Sequence, residues 1–113
     1  MENRSAVAVV TGAARGIGRK ICLELAERGY VIAANDLRAP DATVEELRSA
    51  GAEAIALPGD VSDEATVQGM VETVTGELGR IDALVNNAGI STIVPAEETT
   101  LADWNRTLML LSA

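Results

Sequence analysis

Thr11-Gly12-Ala13-Ala14-Arg15-Gly16-Ile17-Gly18 stands between an apolar run and an amphipathic period, and its residue types could hold a phosphate ligand. Glycines at 12, 16 and 18 permit a tight turn, let backbone approach a pyrophosphate, and let a helix pack closely on a strand. A helix opening here turns its free N–H groups toward such phosphates. Taken alone, the same turn also serves as a plain conformational hinge. Three further stations suit the rest of a dinucleotide. Asp36 lies 18 residues beyond Gly18, where a carboxylate accepts hydrogen bonds from adenosine ribose hydroxyls and repels a 2′-phosphate. NAD is therefore expected over NADP, although Arg15 and Arg38 could each meet a phosphate and keep NADP as the alternative. Asp60-Val61 offers a carboxylate for an adenine amino group, or only a turn Asp. Asn86-Asn87-Ala88-Gly89 lets backbone lie close to a ribose, or its amides bridge strands.

The elements that must position these residues alternate short apolar runs with helical periods, the mark of βαβ units and a parallel sheet. Ala6 to Val10 suits a strand buried on both faces. From Ile17 the period becomes helical, with Ile17, Ile21 and Leu25 as the apolar line and Gly29 as the stop. Tyr30 to Ala34 is the second strand, and Pro40-Asp41 opens a helix to about Ala50. Ala54 to Leu57 is the third strand. Ser62 is the expected N-cap of a helix striped by Val67, Met70, Val71, Val74 and Leu78. Ala83 to Val85 is the fourth strand. A loop containing Pro95 then leads to a helix from Thr100, on which Trp104, Leu108 and Leu111 share a face. The expected fold is a Rossmann-like, doubly wound α/β sheet of order 3-2-1-4, a single partial domain over 1–113. Strand four is then an edge without the charges or prolines that protect edges. With the apolar run Leu108-Met109-Leu110-Leu111, that edge implies self-association.

Composition excludes several classes of chemistry. The chain has 113 residues, is 48% hydrophobic and 23% charged, and contains no His, one Cys and a net charge of −8. Without His there is no Ser-His-Asp or Cys-His nucleophile. One sulfur cannot build a Cys/His zinc site or an internal disulfide. The negative balance disfavours nucleic acid and anionic membranes as partners. No apolar run approaches the length of a membrane span, and the N-terminus lacks the order of segments of a signal peptide. A cytoplasmic protein with one buried, reduced thiol, Cys22, is expected.

Glycine spacing, acid, Asp-Val and Asn-Asn-Ala-Gly, in this order, resemble the short-chain dehydrogenase/reductase family, specifically its classical members. The resemblance runs from about residue 5 to residue 108 but covers only the family's N-terminal half. It implies that Gly12, Arg15, Gly16, Ile17 and Gly18 line the pyrophosphate, with Thr11 opening the motif. It implies that Asp36, with Leu37 beside it, holds the adenosine ribose, that Asp60 and Val61 flank adenine, and that Asn86, Asn87, Ala88 and Gly89 lie along the cofactor. The implied activity is nicotinamide-dependent oxidation and reduction of alcohol and carbonyl groups.

The departures concern the acid/base half. The family uses a Ser and a Tyr-x-x-x-Lys after a fifth strand. Here the only Tyr, Tyr30, is followed four residues later by Ala34, and the only Lys is Lys20 in the first helix. The family's Asn in the fourth helix, seven residues after a residue like Trp104, is Leu111 here. No catalytic residue and no metal ligand carries over. Three readings stay open: an incomplete sequence of an enzyme of this family, a stand-alone dinucleotide-binding module, and a degenerate gene product. A small-molecule alcohol or carbonyl substrate belongs only to a full-length form.

Overall fold

A computed structural model describes residues 5–87 and the strand Ile93–Pro95. The elements follow in the order β1 (Val7–Val10), α1 (Gly16–Glu27), β2 (Val31–Asp36), α2 (Asp41–Ser49), β3 (Ala54–Pro58), α3 (Glu64–Leu78), β4 (Ala83–Val85) and β5 (Ile93–Pro95). They build one sheet of order β3-β2-β1-β4-β5. β1 pairs in parallel with β2 (Val7 opposite Val31) and with β4 (Ala8 opposite Ala83), and β2 pairs in parallel with β3. The expected 3-2-1-4 arrangement of a Rossmann-like sheet is the one observed.

β1 is buried along its whole length, as a continuous apolar strand at the sheet centre must be. Its side chains alternate between two cores. Val7 and Val9 pack with Leu84 and with Val67, Met70 and Val74 of α3 on one face. Ala8 and Val10 pack with Cys22 of α1 and Val44 and Leu47 of α2 on the other. The first two crossovers thus cover one face and the third covers the opposite face.

Four local expectations are corrected. β2 begins at Val31 and runs on to Asp36, because its pairing with β3 continues to Asp36 opposite Pro58. The line that α1 buries is Gly18 and Cys22, not Ile17, which is 67% exposed; Ile21 and Leu25 are half-buried on the flank. Small residues on the inner line let the helix axis approach the sheet. The N-cap of α3 is Asp63, not Ser62. The Asp63 carboxylate accepts from the Thr66 N–H at 3.2 Å, while Ser62 is drawn back to Asp60.

The fourth correction is at the edge. Ile93–Pro95, expected as loop, forms β5 and pairs antiparallel with β4, Val85 opposite Ile93. β4 is therefore an interior strand, which accords with its wholly apolar sequence, and the edge passes to a three-residue strand ending in Pro95. Short edge strands with proline are poor templates for further pairing. The edge argument for self-association falls with this. The other half of that argument, residues 108–111, lies outside the described residues, as do Trp104 and the helix expected from Thr100.

The start of β1 is tied to the turn before β4 by Asp82. The Val7 N–H donates to its carboxylate at 2.7 Å, and the Arg80 Nε–H donates at 2.8 Å. The Arg80 hydrogen bond first, and the Val7 N–H with it, hold the Asp82 carboxyl below the usual carboxylate range against the opposing effect of burial. A depressed folded-state pKa gives stability that is present above the unfolded value and is lost as pH falls through the folded one. Asp82→Ala is expected to lower unfolding stability by roughly 1.5 kcal/mol at pH 7. That difference should shrink below about pH 4, the ordinary Asp range, as followed by urea unfolding across pH.

Candidate functional site

The carboxyl ends of the parallel strands converge on one cleft of about 500 Å³. Gly12, Arg15, Asp36, Leu37, Asp60, Val61 and Asn87 of the expected set line it, joined by Asn35, Gly59 and Ser62. Thr11, Gly18 and Asn86 are buried beneath it. The Ile17 side chain lies elsewhere, in an apolar hollow on the outer flank of α1 with Ile21 and Leu25. Ala88 and Gly89 lie outside the described residues.

Glycine chemistry decides the shape of the floor. Gly12 and Gly16 adopt φ of +65° and +62°, the left-handed region that side chains disfavour. At Gly18 the requirement is space. A Cβ there would stand 1.9 Å from the Gly12 carbonyl oxygen and 2.7 Å from the Asn87 side chain. α1 therefore enters directly against the backbone of the turn. Arg15 occupies its N-cap position without a side-chain cap bond, and no acid stands in its first turn. The positive end of the helix is left for an anion. α3, by contrast, is capped by Asp63 and carries Glu64.

Two carboxylates, Asp36 and Asp60, line the same cleft. Asp36 ends β2; one of its oxygens accepts from the Ala14 N–H at 2.9 Å and the other from the Leu37 N–H at 2.8 Å. Both interactions fix its orientation while leaving further lone pairs for a ligand's hydroxyls. Asp60 is exposed, and the Ser62 N–H and hydroxyl donate to one of its oxygens at 2.9 and 2.7 Å. The backbone bond and then the hydroxyl bond from Ser62 keep the Asp60 carboxyl below its ordinary value, so it stays an acceptor at neutral pH.

The far wall is built by amides. The Thr11 hydroxyl donates to Asn86 Oδ1 at 3.1 Å and accepts from the Asn87 N–H at 3.0 Å, and Asn87 Nδ2 donates to the Gly12 carbonyl at 3.2 Å. Both asparagines thus bridge β4 to the end of β1, and Asn87 also reaches the cleft.

Asn35 is the functional residue that sequence reasoning missed. It is buried, and its Nδ2 donates to the carbonyls of Leu57 at 2.7 Å and Gly59 at 3.1 Å, holding the turn that carries Asp60 and Val61. Asn35 stands between the apolar run Tyr30 to Ala34 and Asp36, and nothing in the sequence sets it apart from an ordinary polar residue at a strand end.

The cleft brings together the uncapped start of α1, the carboxylates of Asp36 and Asp60, and apolar surface from Leu37 and Val61. The single thiol, Cys22, is buried away from the cleft, and burial pushes it up to about 12, which removes it as a nucleophile. Among the described residues no three His, Cys, Asp or Glu side chains stand together as a metal site, and no helix is long and apolar enough to cross a membrane.

Gly18→Ala is expected to abolish ligand binding in this cleft, because the Gly12 carbonyl must move to admit the methyl. The overpacking should also destabilise the fold by about 1–3 kcal/mol. Titration with ADP-ribose and thermal unfolding together check both effects.

The family model for short chain dehydrogenase matches residues 6–110. The chain is similar to a short-chain dehydrogenase/reductase of Hericium erinaceus, with 44% identity over 89% of this chain and 42% of that protein. It is also similar to a D-threitol dehydrogenase of Mycolicibacterium smegmatis, with 44% identity over 92% of this chain and 41% of that protein. Among solved structures, a 3-oxoacyl-[acyl-carrier protein] reductase from Brucella melitensis in complex with NAD matches with a TM-score of 0.73 and 38% identity, covering 78% of this chain and 35% of that one. The chain spans about two fifths of the length of the two relatives named first.

Proposed function

The chain belongs to the short-chain dehydrogenase/reductase family, and from that premise we propose that it is the cofactor-holding part of an NAD-dependent oxidoreductase acting on alcohol and carbonyl groups. The observation that carries the reading is the cleft itself, where the uncapped start of α1 and the oriented carboxylate of Asp36 line one space. The residues fit a dinucleotide. Gly12, Arg15 and the first turn of α1 would hold the pyrophosphate, and Asp36 the adenosine ribose, with Leu37 beside it. Asp60 and Val61 would flank adenine, and Asn86 to Gly89 would lie along the cofactor. A bound nicotinamide would give hydride to a carbonyl or take it from an alcohol, and this chain's residues would bind and orient the rest of the cofactor. A small alcohol or carbonyl substrate would belong only to a full-length form, and the setting is cytoplasmic. Self-association rests on the apolar run Leu108-Met109-Leu110-Leu111 alone.

Cofactor choice follows from Asp36. Its carboxylate accepts ribose hydroxyls and repels a 2′-phosphate, so NADH should bind more tightly than NADPH. A hydrogen bond to a charged group is worth about 1.5–3 kcal/mol, so Asp36→Ala should narrow the preference about tenfold or more. Fluorescence titration of both cofactors checks this, and NADPH binding equal or tighter in the unmutated chain would shift the assignment to Arg15 and Arg38.

The second reading, a dinucleotide module without chemistry, is favoured for these 113 residues alone by where the acid/base types fall. Tyr30 precedes β2 and Lys20 is exposed on α1, and neither lines the cleft. A positioned proton donor is worth about 10²–10⁴ in rate, and hydride transfer to a carbonyl needs one. The polypeptide should bind NADH and show no carbonyl-dependent NADH oxidation above a protein-free control. Steady turnover with any substrate of a carbonyl panel would overturn that.

A further inference from the structure

The glycine turn is gripped from behind by residues that belong to none of its motif positions. Between Gly12 and Arg15, two ordinary residues, Ala13 and Ala14, carry the chain, and their hydrogen bonds to Asn35, Asp36 and Thr43 run to the β2–α2 unit. The Ala13 N–H donates to the Asn35 carbonyl at 2.8 Å. The Ala14 N–H donates to the Asp36 carboxylate at 2.9 Å. The Thr43 hydroxyl donates to the Ala13 carbonyl at 2.9 Å and stands 3.3 Å from the Ala14 carbonyl. Thr43 is fully buried in the first turn of α2. α2 is itself fastened to α1 by the fork of Arg19 on Glu46, with bonds of 2.9 and 2.7 Å.

We propose that Thr43 is a positioning residue for the phosphates of the dinucleotide. The inference rests on reading the cleft as the dinucleotide site. The Ala13 carbonyl and the Ala14 N–H are opposite ends of one planar peptide unit. Thr43 holds its oxygen and Asp36 holds its N–H, so the plane has no freedom to rotate. The next plane is set in the same way. With the Ala14 carbonyl turned toward Thr43, the Arg15 N–H at the other end of that unit is directed away from α2. Arg15 lines the cleft and precedes the first turn of α1. Glycines with positive φ on both sides give the turn little stiffness of its own, so the order needed for phosphate N–H donors comes from Thr43 and Asp36. Thr43 touches no ligand and acts through backbone.

The test separates phosphate binding from adenosine binding in the full chain. Thr43→Val keeps the shape and removes the hydroxyl; Thr43→Ser keeps the hydroxyl. Thr43→Val should weaken ADP-ribose about tenfold, the scale of one hydrogen bond lost with its buried acceptor left bare. It should change adenosine affinity less than twofold, and Thr43→Ser should retain ADP-ribose binding. Unchanged ADP-ribose affinity in Thr43→Val overturns the proposal. So does an equal loss for both ligands, or a Thr43→Ser variant as weak as Thr43→Val. If Thr43→Val does not fold, amide exchange in the unliganded wild-type chain decides. A protected Ala14 amide supports the clamp, and exchange there at the unstructured rate overturns it. A wild-type chain that binds neither ligand overturns the dinucleotide reading itself, and the clamp with it.

Discussion

Everything in this structure depends on the burial of β1 between two parallel neighbours whose crossovers leave on opposite faces. Val7 to Val10 have no face toward water, so α1 and α2 must cover one side and α3 the other. β2 and β4 flank β1, and the helices that lead into them, α1 and α3, lie on opposite faces of the sheet. A crevice is left beyond β1, the topological switch point where open α/β sheets take their ligands. The cleft residues are gathered there by this geometry from four separate stretches of chain. None of the four could form the site without the others.

A crevice at strand ends leaves backbone groups without ladder partners, and the chain satisfies them with side chains that also shape the site. Thr11, Asn86 and Asn87 close the gap between β1 and β4, and Asn35 closes that between β2 and the β3–α3 turn. Buried polar groups of this kind are costly when unpaired, so their bonds make the position of each wall an all-or-none matter. The same principle explains Asp36, whose carboxylate stands at the rim of the cleft and also accepts from the Ala14 N–H, so that one bond ties the end of β2 to the glycine turn.

The alternation of runs and periods made β1 to β4, α1 to α3 and the order of those four strands legible, because each element's burial is written in consecutive residues. The cleft was legible where conformation demanded glycine or where an acid ended a strand. What sequence could not show were partners far apart in the chain. Asn35 and Thr43 look like ordinary polar residues until folding sets them against Gly59 and Ala13. Ser62 and Asp63 are both good N-caps, and only the turn that engages Asp60 decides between them. Ile17, Ile21 and Leu25 keep a helical period, but the inner line of α1 follows the smaller Gly18 and Cys22, since the close approach at Gly12 fixes the helix's rotation. Residues 93–95 carry too few positions for periodicity, and their pairing is supplied by the bare edge of β4.

The charge balance poses a last question, since a chain of net charge −8 is read as holding an anion. At ordinary ionic strength, charges act over about 8–10 Å, so the overall sign governs approach by long polyanions much more than the fate of one pyrophosphate inside a cleft. There the local terms are the uncapped first turn of α1 and the Arg15 side chain. The two acids in the cleft each accept from amide or hydroxyl donors of the chain, and in the proposed dinucleotide complex they would face the hydroxyl and amino groups of the nucleoside. Negative charge at these two positions therefore does not oppose the phosphate. It divides the cleft into an anion-accepting floor and donor-seeking walls, and a ligand must match that order along its length to fit. A polyphosphate chain would meet carboxylates at Asp36 and Asp60. In the proposed complex a nucleotide would present hydroxyls and an amino group there, so Asp36 and Asp60 would select against simple anions.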